Sequence, residues 1–75
     1  MSSLKKKFGS HLRSIRKERD LSQERFAELL GISVDFLSLI ERGRNAPSFE
    51  TLEQIGGRLR LPVKALFDFS TKREG

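Results

Sequence analysis

Three times along the chain a serine is followed two positions later by an acid: Ser22-Gln-Glu24, Ser33-Val-Asp35 and Ser48-Phe-Glu50. A serine hydroxyl just ahead of a helix accepts from the free amide N–H groups of the first turn. An acid inside that turn meets the positive end of the helix dipole. The device predicts helix starts at residues 22, 33 and 48. Gly31 and Gly43 stand where a left-handed residue closes a helix, and Pro47 and Pro62 discourage helix in the residues they follow. A chain punctuated this often must pack short helices.

Apolar spacing agrees. Phe8, Leu12 and Ile15 form one helical stripe, and Phe26, Ala27 and Leu30 a second. Ile32, Phe36, Leu37 and Ile40 make a third, Phe49, Leu52, Ile55 and Leu59 a fourth, and Val63, Leu66 and Phe67 a short fifth. Strict alternation, the mark of a strand, persists nowhere. The reading is all-α, a compact five-helix bundle with helices at roughly 5–19, 23–30, 34–42, 49–60 and 63–68. Residues 1–7 read as a basic arm running into the first helix, 8–69 as the folded domain and 70–75 as a flexible tail. Ser2 and Ser3 read as frayed.

Composition narrows the function. The 75 residues hold no Cys and one His, His11, which removes thiolate catalysis and leaves no metal-ligand cluster. His11 is expected on the solvated face of the first helix. The paired acids Glu24 and Glu28 read as an exposed helix face, no glycine-rich phosphate loop is present, and no serine has a base beside it in the pattern. The expectation is no enzyme, no cofactor and no metal. No apolar run approaches the ~20 residues of a membrane span, and no signal-peptide pattern opens the chain. A small cytoplasmic domain without a membrane partner is expected.

The net charge of +5 is unevenly placed. Met1 to Asp20 carries seven Lys/Arg against two acids, Leu21 to Glu41 one against four, and Arg42 to Arg60 four against two. A phosphate-bearing partner meets positive charge at the start and again just past residue 41. Lys5, Lys6 and Lys7 read either as an arm reaching phosphates or as a solubilising end.

Two short helices joined around Gly31, with small Ala27 at their crossing, suit a helix-turn-helix. The run Ile15-Arg-Lys-Glu-Arg-Asp-Leu-Ser-Gln-Glu-Arg-Phe-Ala-Glu-Leu-Leu-Gly-Ile-Ser33, then Phe36-Leu-Ser-Leu-Ile-Glu-Arg-Gly43, resembles the phage-repressor/Cro type of helix-turn-helix domain, the xenobiotic-response-element family. Pro47-Ser48, Leu52-Glu-Gln-Ile55 and Leu61-Pro62 through Leu66-Phe67 continue the likeness over most of residues 8–69. The resemblance implies a lambda-repressor-like five-helix fold that binds double-stranded operator DNA, generally as a homodimer, with its third helix in the major groove. By the same resemblance Ser33, Val34, Asp35, Ser38 and Leu39 form the base-reading face. Ser22, Gln23, Arg42, Arg44 and Asn45 contact phosphates, and Arg16 and Glu41 form an internal salt bridge. Asp35 has a second reading, as a first-turn acid serving the dipole.

Two departures from that pattern stand out. Gly56-Gly57 interrupts the fourth helix, where each glycine costs about 1 kcal/mol against alanine. Arg60 stands where the family has a glycine, so the fourth helix is expected to end by other means. Val63, Leu66, Phe67 and Phe69 leave apolar surface near the C-terminus that suits a dimer contact. The resulting expectation is a transcriptional repressor or controller-type autoregulator on a palindromic operator. A second reading is an antitoxin-like protein-interaction module whose sticky face is Val34, Phe36 and Leu39.

Overall fold

The computed structural model describes residues 3–69. It contains α1 (Leu4–Glu18), α2 (Gln23–Leu30), α3 (Val34–Glu41) and α4 (Phe49–Leu59), followed by a 3-10 turn over Val63–Phe67. Among the described residues there is no strand. The expected tail at 70–75 lies outside them.

Each α-helix begins on a serine. Ser3, Ser22, Ser33 and Ser48 accept from the backbone N–H of Lys6, Arg25, Phe36 and Thr51 at 3.0–3.2 Å. Ser3 is therefore a cap rather than a frayed residue. It lacks the following acid that marks the other three, so the pattern passed over it.

The four helices also end alike, each with paired backbone bonds wrapped around a left-handed residue. At α2 they run from Ile32 to Ala27 and from Gly31 to Glu28, and at α3 from Arg44 to Leu39 and from Gly43 to Ile40. At α1 and α4 the left-handed residues are Asp20 and Arg60, both at φ 59°. Helix α4 thus closes on the same turn as the others, with Leu61 N–H on the Gly56 carbonyl at 2.9 Å. The expectation of a different termination was wrong. Arginine takes the glycine conformation there at a cost of roughly 1 kcal/mol.

The core is one cluster built around Phe26, Leu30, Leu37, Ile40, Ile55 and Leu66, all without exposed surface. Phe8, Leu12 and Ile15 reach it from α1, and Leu52 and Leu59 from α4. Phe49 does not. It opens α4 at 84% exposure, so the fourth stripe begins at Leu52. The last segment differs from expectation in kind. Five residues between Pro62 and Asp68 are too few for a stable α-helix, and the tighter turn drops Leu66 into the core.

Contacts distant in sequence fasten the elements. Gly9 lets α1 cross α3, since a methyl there would overlap the Ile40 carbonyl oxygen. Gln54 Nε2 donates to the carbonyls of Leu30 and Gly31 at 2.7 and 3.2 Å, and Arg58 Nη1 to that of Leu29 at 2.9 Å. These side chains of α4 satisfy the otherwise open C-terminal end of α2. Arg19 Nη2 does the same for Leu59 at 3.2 Å. His11 is half-buried, not solvated: its Nε2–H donates to the Ala65 carbonyl at 2.9 Å and its ring meets the Phe69 ring edge-on. Phe8 packs on Phe67 with centroids 5.0 Å apart, so the C-terminal segment is held to α1 by aromatic contacts.

Candidate nucleic-acid interface

Helix α3 buries Leu37, Ile40 and Glu41 and turns its other side outward. Ser33, Val34 and Asp35 are exposed at its N-terminal end, while Ser38 and Leu39 are half-buried one turn on. The five expected base-reading residues therefore share one end and flank of α3, with Val34, Asp35 and Ser33 the most open. Asp35 sits in the first turn, where the dipole favours its charge. Arg42 continues this side past the helix end, its Nε donating to the Ser38 carbonyl at 3.3 Å.

The candidate phosphate residues stand at the start of α2 and just past the end of α3, and differ in how free their donors are. Ser22 spends its oxygen lone pair on the Arg25 N–H and keeps its own O–H. Asn45 accepts the Ala46 N–H on Oδ1 at 2.9 Å, which leaves its Nδ2 hydrogens available. The Arg44 side chain is exposed and engages no other described residue. Gln23 is only partly available for the phosphate contact that the resemblance implies. Its Nε2 donates to Glu41 Oε1 at 3.0 Å, so one of two amide hydrogens is already taken.

Glu41 is the centre of a buried polar junction. Arg16 Nε and Nη2 meet its two oxygens at 2.8 and 3.0 Å, and Arg16 Nη1 donates to the Leu21 carbonyl at 3.0 Å. The Glu41 side chain is 2% exposed and that of Arg16 12%, so both charges are withdrawn from water and paired bidentately. One carboxylate thereby joins α1, the first residue of α2 and the last of α3. The sequence pointed to the pair and missed its third member; a neutral amide carries no charge to match.

A further cluster lies beside the turn after α3. The Lys6 stem packs on Gly43, between Arg42 and Arg44 in the chain, and Lys5 and Lys7 flank it in the first turns of α1. No acid occupies that first turn. Cations at the positive end of a helix oppose its dipole, so these lysines work against α1 itself.

Among the four expected dimer residues, Leu66 must be corrected, because its surface is spent in the chain's own core. Phe67 and Phe69 are half-buried against Phe8 and His11, and only Val63 is exposed, at 38%. No group of His, Cys, Asp and Glu among the described residues could hold a metal ion, and no helix there is long and apolar enough to cross a membrane.

Residues 12–66 match the family model described as helix-turn-helix. The chain belongs to the helix-turn-helix family. It is 43% identical over 58 residues to the immunity repressor protein of Bacillus phage phi105, covering 77% of this chain and 40% of that protein. It is 38% identical over 68 residues to control protein C.MunI of Mycoplasma sp, covering 89% of this chain and 92% of that one. The structure superposes on the clp gene regulator ClgR of C. glutamicum with a TM-score of 0.80 at 29% identity, over 92% of this chain and 90% of that one. Relatives named as repressors and regulators share these motifs, and the chain is a helix-turn-helix protein of the xenobiotic-response-element type. Within that family the helix-turn-helix proper is α2, the turn at Gly31 to Ser33, and α3.

Proposed function

We propose that this chain binds double-stranded DNA sequence-specifically, as a homodimer on a palindromic operator, and represses or autoregulates transcription there, in the cytoplasm. One observation carries the reading: donors that the fold leaves unspent gather about the C-terminal end of α3, whose outward side is exposed. These are the Ser22 hydroxyl, the second Gln23 amide hydrogen, Arg44 and the Asn45 Nδ2, with Lys6 against the turn at Gly43. Phosphate oxygens only accept, so a rim of free donors around a protruding helix is the complement of a duplex groove.

The proposed division of labour follows from chemistry. Val34 and Leu39 read only thymine methyls, Asp35 accepts from cytosine N4, and Ser33 and Ser38 bond either way. Arg42, Arg44, Asn45, Ser22 and Gln23 hold phosphates and carry affinity without sequence information. With so few strong base-reading groups, much of the specificity comes from DNA shape. The longest extent of the described residues is 29 Å. Successive major-groove faces are about 34 Å apart, so one copy serves one half-site and two copies serve a palindrome.

Binding to the DNA upstream of its own gene, measured at two salt concentrations and across single-base variants, tests this. Arg44→Ala should weaken binding to all sequences and reduce the salt slope by about 1. Val34→Ala should cost less and relax discrimination at thymines. A protein that binds no DNA at low salt would instead support the interaction-module reading. That reading is weakened by Phe36 and Leu39, which are half-buried and leave Val34 as the exposed apolar group of α3.

A further inference from the structure

We propose that Arg42, the residue that caps α3, reads a guanine base and so determines sequence preference. This deepens the reading of a sequence-specific DNA binder and rests on it, moving Arg42 from the phosphate-holding set to the base-reading one. Residues at i, i+3, i+4 and i+7 share one side of a helix. Counted from Asp35, that side holds Ser38, Leu39 and Arg42. Arg42 has φ −87° and ψ 1°, close to helical values, so the register runs on through it. The bond from its Nε to the Ser38 carbonyl, at 3.3 Å, lays the side chain back along the same side. Arg44 is placed differently. Gly43 turns left-handed at φ 75° between the two arginines, and the Arg44 N–H bonds back to the Leu39 carbonyl. The chain has left the helix before Arg44, whose side chain is exposed and has no tether to aim it.

Chemistry separates the two arginines as well. Tethering through Nε leaves both Nη groups of Arg42 free, and their paired N–H donors match the O6 and N7 acceptors on the guanine edge. No acid competes for them. The ion pair among the described residues is Arg16 with Glu41, and the Glu41 carboxylate is buried and spent on Arg16 and Gln23. A side chain already held loses less freedom on binding than a loose one. Without Arg42, the stripe offers a carboxylate, a hydroxyl that bonds donors and acceptors alike, and an apolar group. Guanine then has no dedicated partner. Seven residues of helix span about 10 Å, so the guanine lies within about three base pairs of the base that meets Asp35.

The test selects bound sequences from a random duplex pool with the full chain. Binding to single-base variants of the selected site is then measured at two salt concentrations. The parent should select a guanine at a fixed position. Arg42→Ala should lower the preference for that guanine by about tenfold, with little loss on the site that lacks it and an unchanged salt slope. Arg42→Gln should move the preference toward adenine, whose N6 and N7 suit an amide. An arginine with a merely structural role would not shift the preferred base. Both variants should melt like the parent, because the side chain is exposed. The assignment is overturned if Arg42→Ala weakens every sequence alike and reduces the salt slope by about 1, as loss of a phosphate contact would. It is also overturned if the parent selects no guanine, or if Arg42→Gln keeps the parent's preference. Each of these outcomes leaves DNA binding standing. A parent that binds no DNA even at low salt overturns the function reading, and this assignment with it.

Discussion

The α2–α3 half and the α4 half of this domain reach similar order by different means. In α2 and α3 the starts and stops are local. Ser22 and Ser33 cap, Gly31 and Gly43 close, and a tight turn sets the crossing over Ala27. In α4 the start is local but the rest is not. The helix closes on Arg60 in a glycine conformation, carries two interior glycines, and is fastened through Gln54 and Arg58 to carbonyls 23–29 residues away. The first half can be written down from its letters; the second depends on what it touches. Local rules thus hold where a surface must be presented accurately, and exceptions gather where elements are joined.

The comparison breaks most severely at Glu41. Glu41→Ala leaves the Arg16 guanidinium buried without its partner, which should cost about 3–5 kcal/mol in a urea melt. DNA binding would then fall through unfolding, and an unchanged melt would mean that the pair does not hold the helices. Next comes Gly9→Ala, which drives a methyl into the Ile40 carbonyl and should cost about 1–3 kcal/mol. That loss would extend the dependence on distant contacts to α1. Gln54→Ala deprives the α2 end of a donor, and a loss of about 1 kcal/mol is expected. Amide exchange at the end of α2 should report it before any global change. The smallest effect has the opposite sign: Gly57→Ala adds helix propensity where there is open space, and should stabilise the dilute protein by about 1 kcal/mol. A destabilised variant would mean that the backbone there is not relaxed helix.

What could be read from the sequence follows the same line. The caps at 22, 33 and 48 and the five segments were legible because each is a short-range pattern, and the Arg16–Glu41 pair was legible only through the family resemblance. Phe49 was assigned inward because its spacing fits the Leu52 stripe, but residues at the first position of a helix point past the core it faces. The half-burial of His11 was hidden because its partners, Ala65 and Phe69, lie more than fifty residues on. Gly9 carried a signal that could have been used: a glycine inside an apolar helical stripe is costly unless another backbone passes close by. The candidate DNA residues came through the family resemblance, and nothing local reveals that Gln23 is half-engaged.

That engagement restricts what position 23 can be. Its amide gives one hydrogen to the buried carboxylate of Glu41, and under the proposed DNA contact gives the other to a phosphate. Both neighbours are anionic acceptors, so the position demands a side chain with at least two donors, no negative charge and the reach to lie between them. Glutamate has the length and the wrong charge, asparagine has the group and lacks the reach, and leucine has the size and no hydrogen to give. Drift at this position is therefore confined to a handful of residues, although its side chain stands at the edge of the fold rather than in its core.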